Sequence, residues 1–327
     1  VRLAVPREGS TTLHDFIRGD IQIENKNVDD QVLLKSDGFP TYHLAVVVDD
    51  HLMKISHVLR GEEWIPSFPK HVLLYQAFGW EIPPHGHLPT VLAPDKKKLS
   101  KRHGATSVLQ FRNDGYLPEA LLNFLARLGW SLDDKSEIFA RQQLIDAFTL
   151  DKIERAPAIF DYGKLDWLNG YYIRELPDDE LAARALPFIP QADPATLRAL
   201  APLFKPRIKK LNEIAALVDF FFEQDLEYDP QLLIGKDADA ATACAALRAA
   251  HATLEKYPAF DDEEKIEAEL RGDAEKLGMK NLSFFGALRV AVTGKTVSPP
   301  LMNSMRLLGR EKTLRRIARA IVLLEKP

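Results

Sequence analysis

The sequence predicts an α/β portion followed by an all-helical one, and three observations carry that prediction. Residues 55–93 read as strand, helix and strand, the rhythm of a parallel sheet with crossover helices. From residue 116 onward almost every segment has helical spacing and is divided from the next by Pro, Gly or Asp. The composition, 46% hydrophobic and 28% charged over 327 residues, is that of an ordinary globular chain long enough for two or three domains.

Taken in order, residues 13–36 alternate apolar and polar around tight turns. "FIRGDIQIE" has Gly19 between two alternating runs, and "VLLK" follows as a short apolar strand. "YHLAVVVDDHLM" fits either a buried strand or a buried helix, because a continuous apolar run carries no period. "ISHVLRG" (55–61) reads as a strand ending at glycine, and "SFPKHVLLYQAFGW" as a helix stopped by Gly79. "HLPTVLA" (87–93) is a second strand leading into a basic loop. "YLPEALLNFLARLGW" places Leu117, Leu121, Leu125 and Leu128 at spacings of four, four and three, with Pro118 near its start and Gly129 as its stop. Segments 142–154, 163–171, 178–188, 194–204, 206–224, 239–256, 261–278, 282–292 and 304–325 read as helices.

Bulk properties exclude several classes. A net charge of −4 rules out polyanion binding by overall charge, so any nucleic-acid surface must be a local patch. Cys244 is the only cysteine, and without a CxxC or Cys/His cluster no zinc site is expected. No apolar run approaches the ~20 residues of a membrane span, and no signal peptide opens the sequence. A cytoplasmic chain with no membrane partner is expected. Its first residues already read as mid-domain strand and turn, so it is expected to begin inside a larger protein.

Against that acidic background, "DKKKLSKRHG" (95–104) packs Lys96, Lys97, Lys98, Lys101 and Arg102 into seven positions, with Ser100 among them and Gly104 just behind. A solvated loop is the ordinary reading of such a run. However, "KLSKR" (98–102), after a strand, resembles the second signature of class I aminoacyl-tRNA synthetases, usually written KMSKS. Together with "DGFPTYHLAVVVDDHLMKISHVLRGEEW" (37–64), "GYLPEALLNFLARLGW" (115–130) and "FDYGKLDWLNGYYI" (160–173), it resembles the bacterial-type glutamyl-tRNA synthetases. The likeness runs through almost the whole chain and is strongest over 33–173.

The resemblance implies an architecture. Residues 1–36 would be the tail of an acceptor-binding insertion, and 37–104 the second half of a Rossmann-like catalytic domain. Residues 105–178 would form a helical stem-contact region and 179–327 an all-helical anticodon-binding domain, split near 230. It implies ATP-dependent formation of glutamyl-adenylate and transfer of glutamate to tRNA(Glu), with ATP, Mg2+ and L-glutamate, in a monomer. Lysines on a loop can hold a triphosphate and stabilise charge more in the transition state than in the ground state. By likeness, Lys98, Ser100 and Lys101 are catalytic. Glu63 and Trp64 lie near ATP and the tRNA 3′ end, Val91 lines the adenine side, and Leu99 completes the ATP set. Tyr42 and Arg60 correspond to glutamate-binding positions, where an arginine fork suits a carboxylate; core packing is the alternative for Tyr42 and Trp64. Val46 sits where some members carry a polar residue.

The family's first signature, HIGH, is expected to precede Val1 with the rest of that half-site. "PHGH" (84–87) only mimics it: it begins with proline and lies ten residues before KLSKR, so His85 and His87 are read as turn and loop residues. In the C-terminal half, "FKPRIKKLN" gathers Lys205, Arg207, Lys209 and Lys210. Residues 306–326 hold Arg306, Arg310, Lys312, Arg315, Arg316, Arg319 and Lys326 against Glu311 and Glu325. The stripe Leu314, Ile317, Ile321 and Leu324 is expected to face inward, with Arg315, Arg316 and Arg319 outward. The likeness puts Arg207, Arg289 and the Ser298–Pro299 turn against the anticodon bases, which such groups can bond and stack upon. The alternatives are a glutaminyl-type or tRNA-modifying relative, the short modifying ones lacking an anticodon domain, and a non-catalytic tRNA-binding fragment.

Overall fold

The alternation around Gly19 becomes a hairpin. In a computed structural model of the chain, which describes every residue except Ala105, Asp134, Lys236, Asp237, Lys326 and Pro327, β1 (Ser10–Asp15) pairs antiparallel with β2 (Gly19–Glu24). Thr11, Leu13 and Asp15 point inward from β1 in the period of two that a half-buried strand requires. "VLLK" forms isolated bridges, Arg2 with Val32 and Leu34 with Pro40, rather than a strand. The ambiguous run is a helix, α1 (Tyr42–Leu52). Then come β3 (Val58–Gly61), α2 (Phe68–Phe78) and β4 (His85–Leu88). Gly79 ends α2 at φ 68°, the left-handed cap that glycine accepts without strain. The sheet order is β2-β1-β4-β3, with β3 and β4 parallel and the hairpin attached through β1.

β4 departs from the expected 87–93. It starts at His85 and stops at Leu88, before Pro89, whose missing N–H cannot extend a ladder. His85 and His87 are therefore strand residues, each 2% exposed or less, and not turn and loop residues.

The remaining helices are α3 (Val108–Asn113), α4 (Pro118–Ala126), α5 (Arg141–Ala147), α6 (Tyr162–Glu175), α7 (Asp178–Ala185), α8 (Pro194–Phe204) and α9 (Ile214–Val218), followed by α10 (Ala240–Glu255), α11 (Glu263–Lys276), α12 (Asn281–Thr293), α13 (Leu301–Leu308) and α14 (Arg310–Glu325). The leucines of this segment do not all face inward. Leu117 and Leu121 are buried, Leu125 is exposed, and the inward face also carries Asn123, which bonds Phe139 and Glu137. Segment 142–154 is α5 plus a 3-10 turn at Leu150–Lys152, and 206–224 is broken into short turns around α9. Gly309, at φ 86°, divides the expected 304–325 helix into α13 and α14.

The chain divides into two units, Val1–Gln110 with Pro118–Leu168, and Phe111–Leu117 with Asn169–Pro327. In the first, Leu3, Val5, Val28, Leu33, Val47, Leu74 and Tyr75 pack between α1, α2 and the N-terminal bridges. Leu13, Phe68 and Val72 join α2 to the sheet. In the second, the core runs through α10, α11, α12, α13 and α14. Among the described residues no helix is long and apolar enough to cross a membrane.

Candidate functional site

Arg60 lies at the C-terminal end of β3, where open α/β sheets receive ligands. Its Nε donates to His87 Nε2 at 3.0 Å, and its Nη1 donates to His71 Nδ1 at 3.1 Å. Its guanidinium lies 5.2 Å from the Phe68 ring and 5.9 Å from that of Trp64. The Tyr42 and Trp64 rings are 4.8 Å apart, with Tyr42 half exposed, so these two stand beside the arginine and are not core. Among the described residues Arg60 has no ion pair, and its Nη2 is buried without a hydrogen-bond acceptor. Burial pulls its pKa down, while the Tyr42 hydroxyl, close to the guanidinium but without a hydrogen bond of normal length and angle, pushes it back up together with Asp50 and Asp15. Val46 packs against the first unit's core.

Behind Arg60 stands a carboxylate. His87 Nδ1 meets Asp15 Oδ2 at 2.5 Å, and both side chains are fully buried. Burial alone would raise the Asp15 pKa; the N–H groups of Arg18 and Ile17, with His87, outweigh it and hold the carboxyl below its ordinary value. Arg18 ties the same corner together, donating to the His87 carbonyl and pairing with Glu62, which accepts the Thr90 N–H at 2.8 Å. Asp15, Arg18, Glu62, His71 and His87 were not legible as site residues. The available signal was the alternation in "HGHL", since two histidines on one strand face of a buried sheet need partners.

The KLSKR segment is a hairpin arm. Leu92 bridges Lys98, Ala93 N donates to the Lys97 carbonyl, and Leu99 N donates to the Val91 carbonyl. Lys96 makes the turn at φ 62°, and Lys97 faces Asp95 at 3.8 Å, so these two lysines shape and flank the bend. Lys98 points into solvent, 3.3 Å from Glu63. Lys101 is exposed; its carbonyl accepts from Gly104 N at 3.4 Å, and its ammonium has no hydrogen bond or ion pair among the described residues. Ser100 Oγ and N both meet His103 Nδ1, at 2.9 and 3.1 Å, so the serine is tied within its own turn. Gly104 adopts φ 130° against the Tyr162 ring, where a Cβ would come within 2.9 Å; it fits a close approach rather than supplying a free hinge.

In the second unit Arg289 Nη1 bonds Ser298 Oγ at 2.6 Å and the Pro299 carbonyl at 2.9 Å, so these three expected residues are brought together. Arg207 is exposed and bonds the Leu203 carbonyl at 2.9 Å, with no bond to that cluster. The expected outward face of α14 needs correction. Arg316 is 3% exposed, because its guanidinium reaches the carbonyls of Val292, Phe220 and Glu223 at 2.6–2.7 Å. Burial pulls its pKa down to about 10, which leaves it charged at neutral pH. Arg315 and Arg319 do face outward, on Gln224 and on Asp225 at 2.7 Å. Arg310 and Lys312 donate to carbonyls, Arg306 pairs with Glu263, and Lys326 lies outside the described residues.

The buried histidines make stability pH-dependent. Burial, above all, lowers His71 to about 3 and His85 to about 4. The unfolded chain takes up a proton near pH 6.5 while the fold refuses it. Stability is therefore flat above about pH 6.5 and falls below it by up to ~1.4 kcal/mol per pH unit for each histidine. Urea unfolding between pH 7.5 and 5 should show the midpoint dropping; a constant midpoint would contradict these burials.

Residues 1–167 match the family model described as "tRNA synthetases class I (E and Q), catalytic domain", and 180–321 match an anticodon binding domain. The chain is similar to a glutamate–tRNA ligase of Dehalococcoides mccartyi, 50% identical over 100% of the chain and 69% of the relative. It is also similar to one of Roseiflexus sp., 48% identical over 98% of the chain and 66% of the relative. Among solved structures it resembles a glutamate tRNA ligase from Elizabethkingia meningosepticum in complex with its amino acid. That likeness has a TM-score of 0.84 and 31% identity, and it covers 99% of the chain and 68% of the other.

Proposed function

Because this chain belongs to the class I (E and Q) tRNA synthetases, we infer that it works in a glutamate–tRNA ligase, supplying the KLSKR side of the catalytic site and the anticodon-binding half. Arg60 is the observation that carries the substrate. A half-buried guanidinium with aromatic walls, no ion pair and an unused donor is a place for an anion. L-glutamate fits through a carboxylate, with Tyr42 and Trp64 alongside.

The chemistry follows from the two basic elements. A carboxylate oxygen of glutamate attacks the α-phosphorus of ATP and pyrophosphate leaves. A hydroxyl at the 3′ end of tRNA(Glu) then attacks the carbonyl carbon of the adenylate, an ester forms and AMP leaves. Lys101, whose ammonium has no partner among the described residues, and Lys98, held by an exposed ion pair with Glu63, are free to meet the triphosphate. Mg2+ bound to the ATP phosphates would help neutralise their charge beside Lys98 and Lys101. Glu63 holds Lys98 until phosphate displaces it, while Val91 and Leu99, joined across the hairpin, offer an apolar edge to the adenine. Ser100 serves the loop's shape first. The domain assignment 1–36, 37–104, 105–178 and 179–327 is kept as part of this reading, with a cytoplasmic monomer as its setting.

Two tests follow. The 327 residues contain KLSKR but no HIGH tetrapeptide, so the polypeptide 1–327 by itself should show no glutamate-dependent ATP–pyrophosphate exchange; exchange at ordinary synthetase rates would sink this division of the site. The same polypeptide should bind tRNA(Glu) with an affinity that falls as salt rises. Arg207→Ala should cost roughly 1–3 kcal/mol, and only on tRNAs with the matching anticodon base, by analogy with base readout in DNA. Uniform weakening across anticodon variants in competition binding would make Arg207 a backbone contact.

A further inference from the structure

A guanidinium can only donate, so Arg60 dictates the tautomers of the histidines on either side of it. His87 accepts at Nε2, so its proton sits on Nδ1 and is donated to Asp15 Oδ2. His71 accepts at Nδ1, so its proton sits on Nε2 and is donated to His43 Nδ1 at 2.9 Å. The result is one unbroken relay, Asp15–His87–Arg60–His71–His43, entirely within the first unit. Two neutral rings in opposite tautomers occupy Nε and Nη1 of the arginine, and the remaining terminal nitrogen, Nη2, has no acceptor.

That arrangement differs from the usual way of burying an arginine, which is to pair it with a carboxylate. Here the nearest bonded carboxylate, Asp15, is one imidazole away. Asp50 lies in electrostatic reach without an ion pair, the Tyr42 hydroxyl stands near the guanidinium without a hydrogen bond of normal length and angle, and His43 and His85 also face this group. The charge is thus fixed in position but left without an ion pair among the described residues. A ligand carboxamide would gain a hydrogen bond from Nη2, whereas a carboxylate would gain the bond and cancel the charge.

We propose that His71 and His87 are positioning residues which, by accepting from Arg60 as neutral rings, hold it as an unpaired cation and thereby select a carboxylate over a carboxamide in the amino-acid substrate. The selection rests on the reading that Arg60 meets the side-chain carboxylate of glutamate, the group that glutamine lacks; the positioning does not. Protonating either histidine would set donor against donor and push Arg60 out of register. Its direction is the same as the burial of both rings favours, since burial holds His71 and His87 neutral.

The test uses the 327-residue chain labelled with 15N. Histidine ring spectra between pH 6 and 8 should show His87 with a bare Nε2 and His71 with a bare Nδ1, both neutral. In a chimera in which residues 1–327 replace the matching part of the Dehalococcoides mccartyi ligase, which supplies the other half of the site, competition binding of L-glutamate against L-glutamine should favour glutamate. His71→Leu should lower that preference by roughly ten- to hundredfold, the scale of one charge-assisted bond. His71→Gln, which keeps an acceptor, should restore much of it. His71→Leu is the primary variant because its other partner is a histidine, whereas His87→Leu strands the buried Asp15 and can unfold the corner. Either ring protonated or in the other tautomer overturns the positioning, and an unchanged preference in folded His71→Leu overturns the selection. A folded chimera with residues 1–327 unaltered that binds neither amino acid overturns the glutamate reading and the selection with it, while the ring spectra still decide the positioning.

Discussion

Replacing Lys101 by alanine is expected to lower kcat by roughly 10²–10³, the range seen when one preorganised donor to a transition state is removed. The physical reason lies in what surrounds it. Lys98 already meets Glu63 and Lys97 meets Asp95, but Lys101 is exposed beside the Ser100–His103 turn, its ammonium with no intrachain partner among the described residues. A cation held by nothing in the resting fold has its full interaction available when charge develops on the triphosphate. ATP affinity should change far less, because the benefit is realised in the transition state. A suitable host is a chimera in which residues 1–327 replace the matching part of the Dehalococcoides mccartyi ligase. Lys97→Ala in the same host should be nearly silent. Loss of ATP affinity with kcat intact would move Lys101 to ground-state binding.

The second large effect concerns stability. Arg316→Leu in the 327-residue chain should cost about 3 kcal/mol, since buried carbonyls left without a donor cost ~1–3 kcal/mol each and the released charge burial returns part of that. Val292 and Phe220, whose carbonyls it caps, are themselves buried. Arg316→Lys should recover little, because one ammonium on a flexible stem cannot match a fork that reaches three carbonyls. Arg315→Leu, on the exposed side, should cost under ~0.5 kcal/mol. Urea midpoints of the four proteins decide it. Equal midpoints for Arg315→Leu and Arg316→Leu would show that the buried arginine contributes nothing.

Arg316 also shows where sequence reading stops. Period 3.6 put it beside Arg315 and Arg319 on the polar side of α14, and polar residues are normally outside. What brings it in is a set of backbone carbonyls from residues 220, 223 and 292, remote in sequence and without any pattern of their own. The same limit applied to His85 and His87. Proline and glycine around them spoke for a turn, while the aspartate that makes their strand tolerable lies some seventy residues earlier, Asp15 facing His87. By contrast the strand–helix–strand order, the helical second half and the exposed KLSKR arm were legible, because glycine stops, proline breaks and charge runs are local signals. Arg60, Tyr42 and Trp64 were reached by resemblance; their convergence needed coordinates.

The most direct measurement is aminoacylation by the chimera, with radiolabelled L-glutamate and L-glutamine offered separately against tRNA(Glu). Glutamate attached to tRNA(Glu), abolished by removal of ATP and strongly reduced by Lys101→Ala, is the predicted result. A folded chimera that charges nothing, or that attaches glutamine in preference to glutamate, would contradict it.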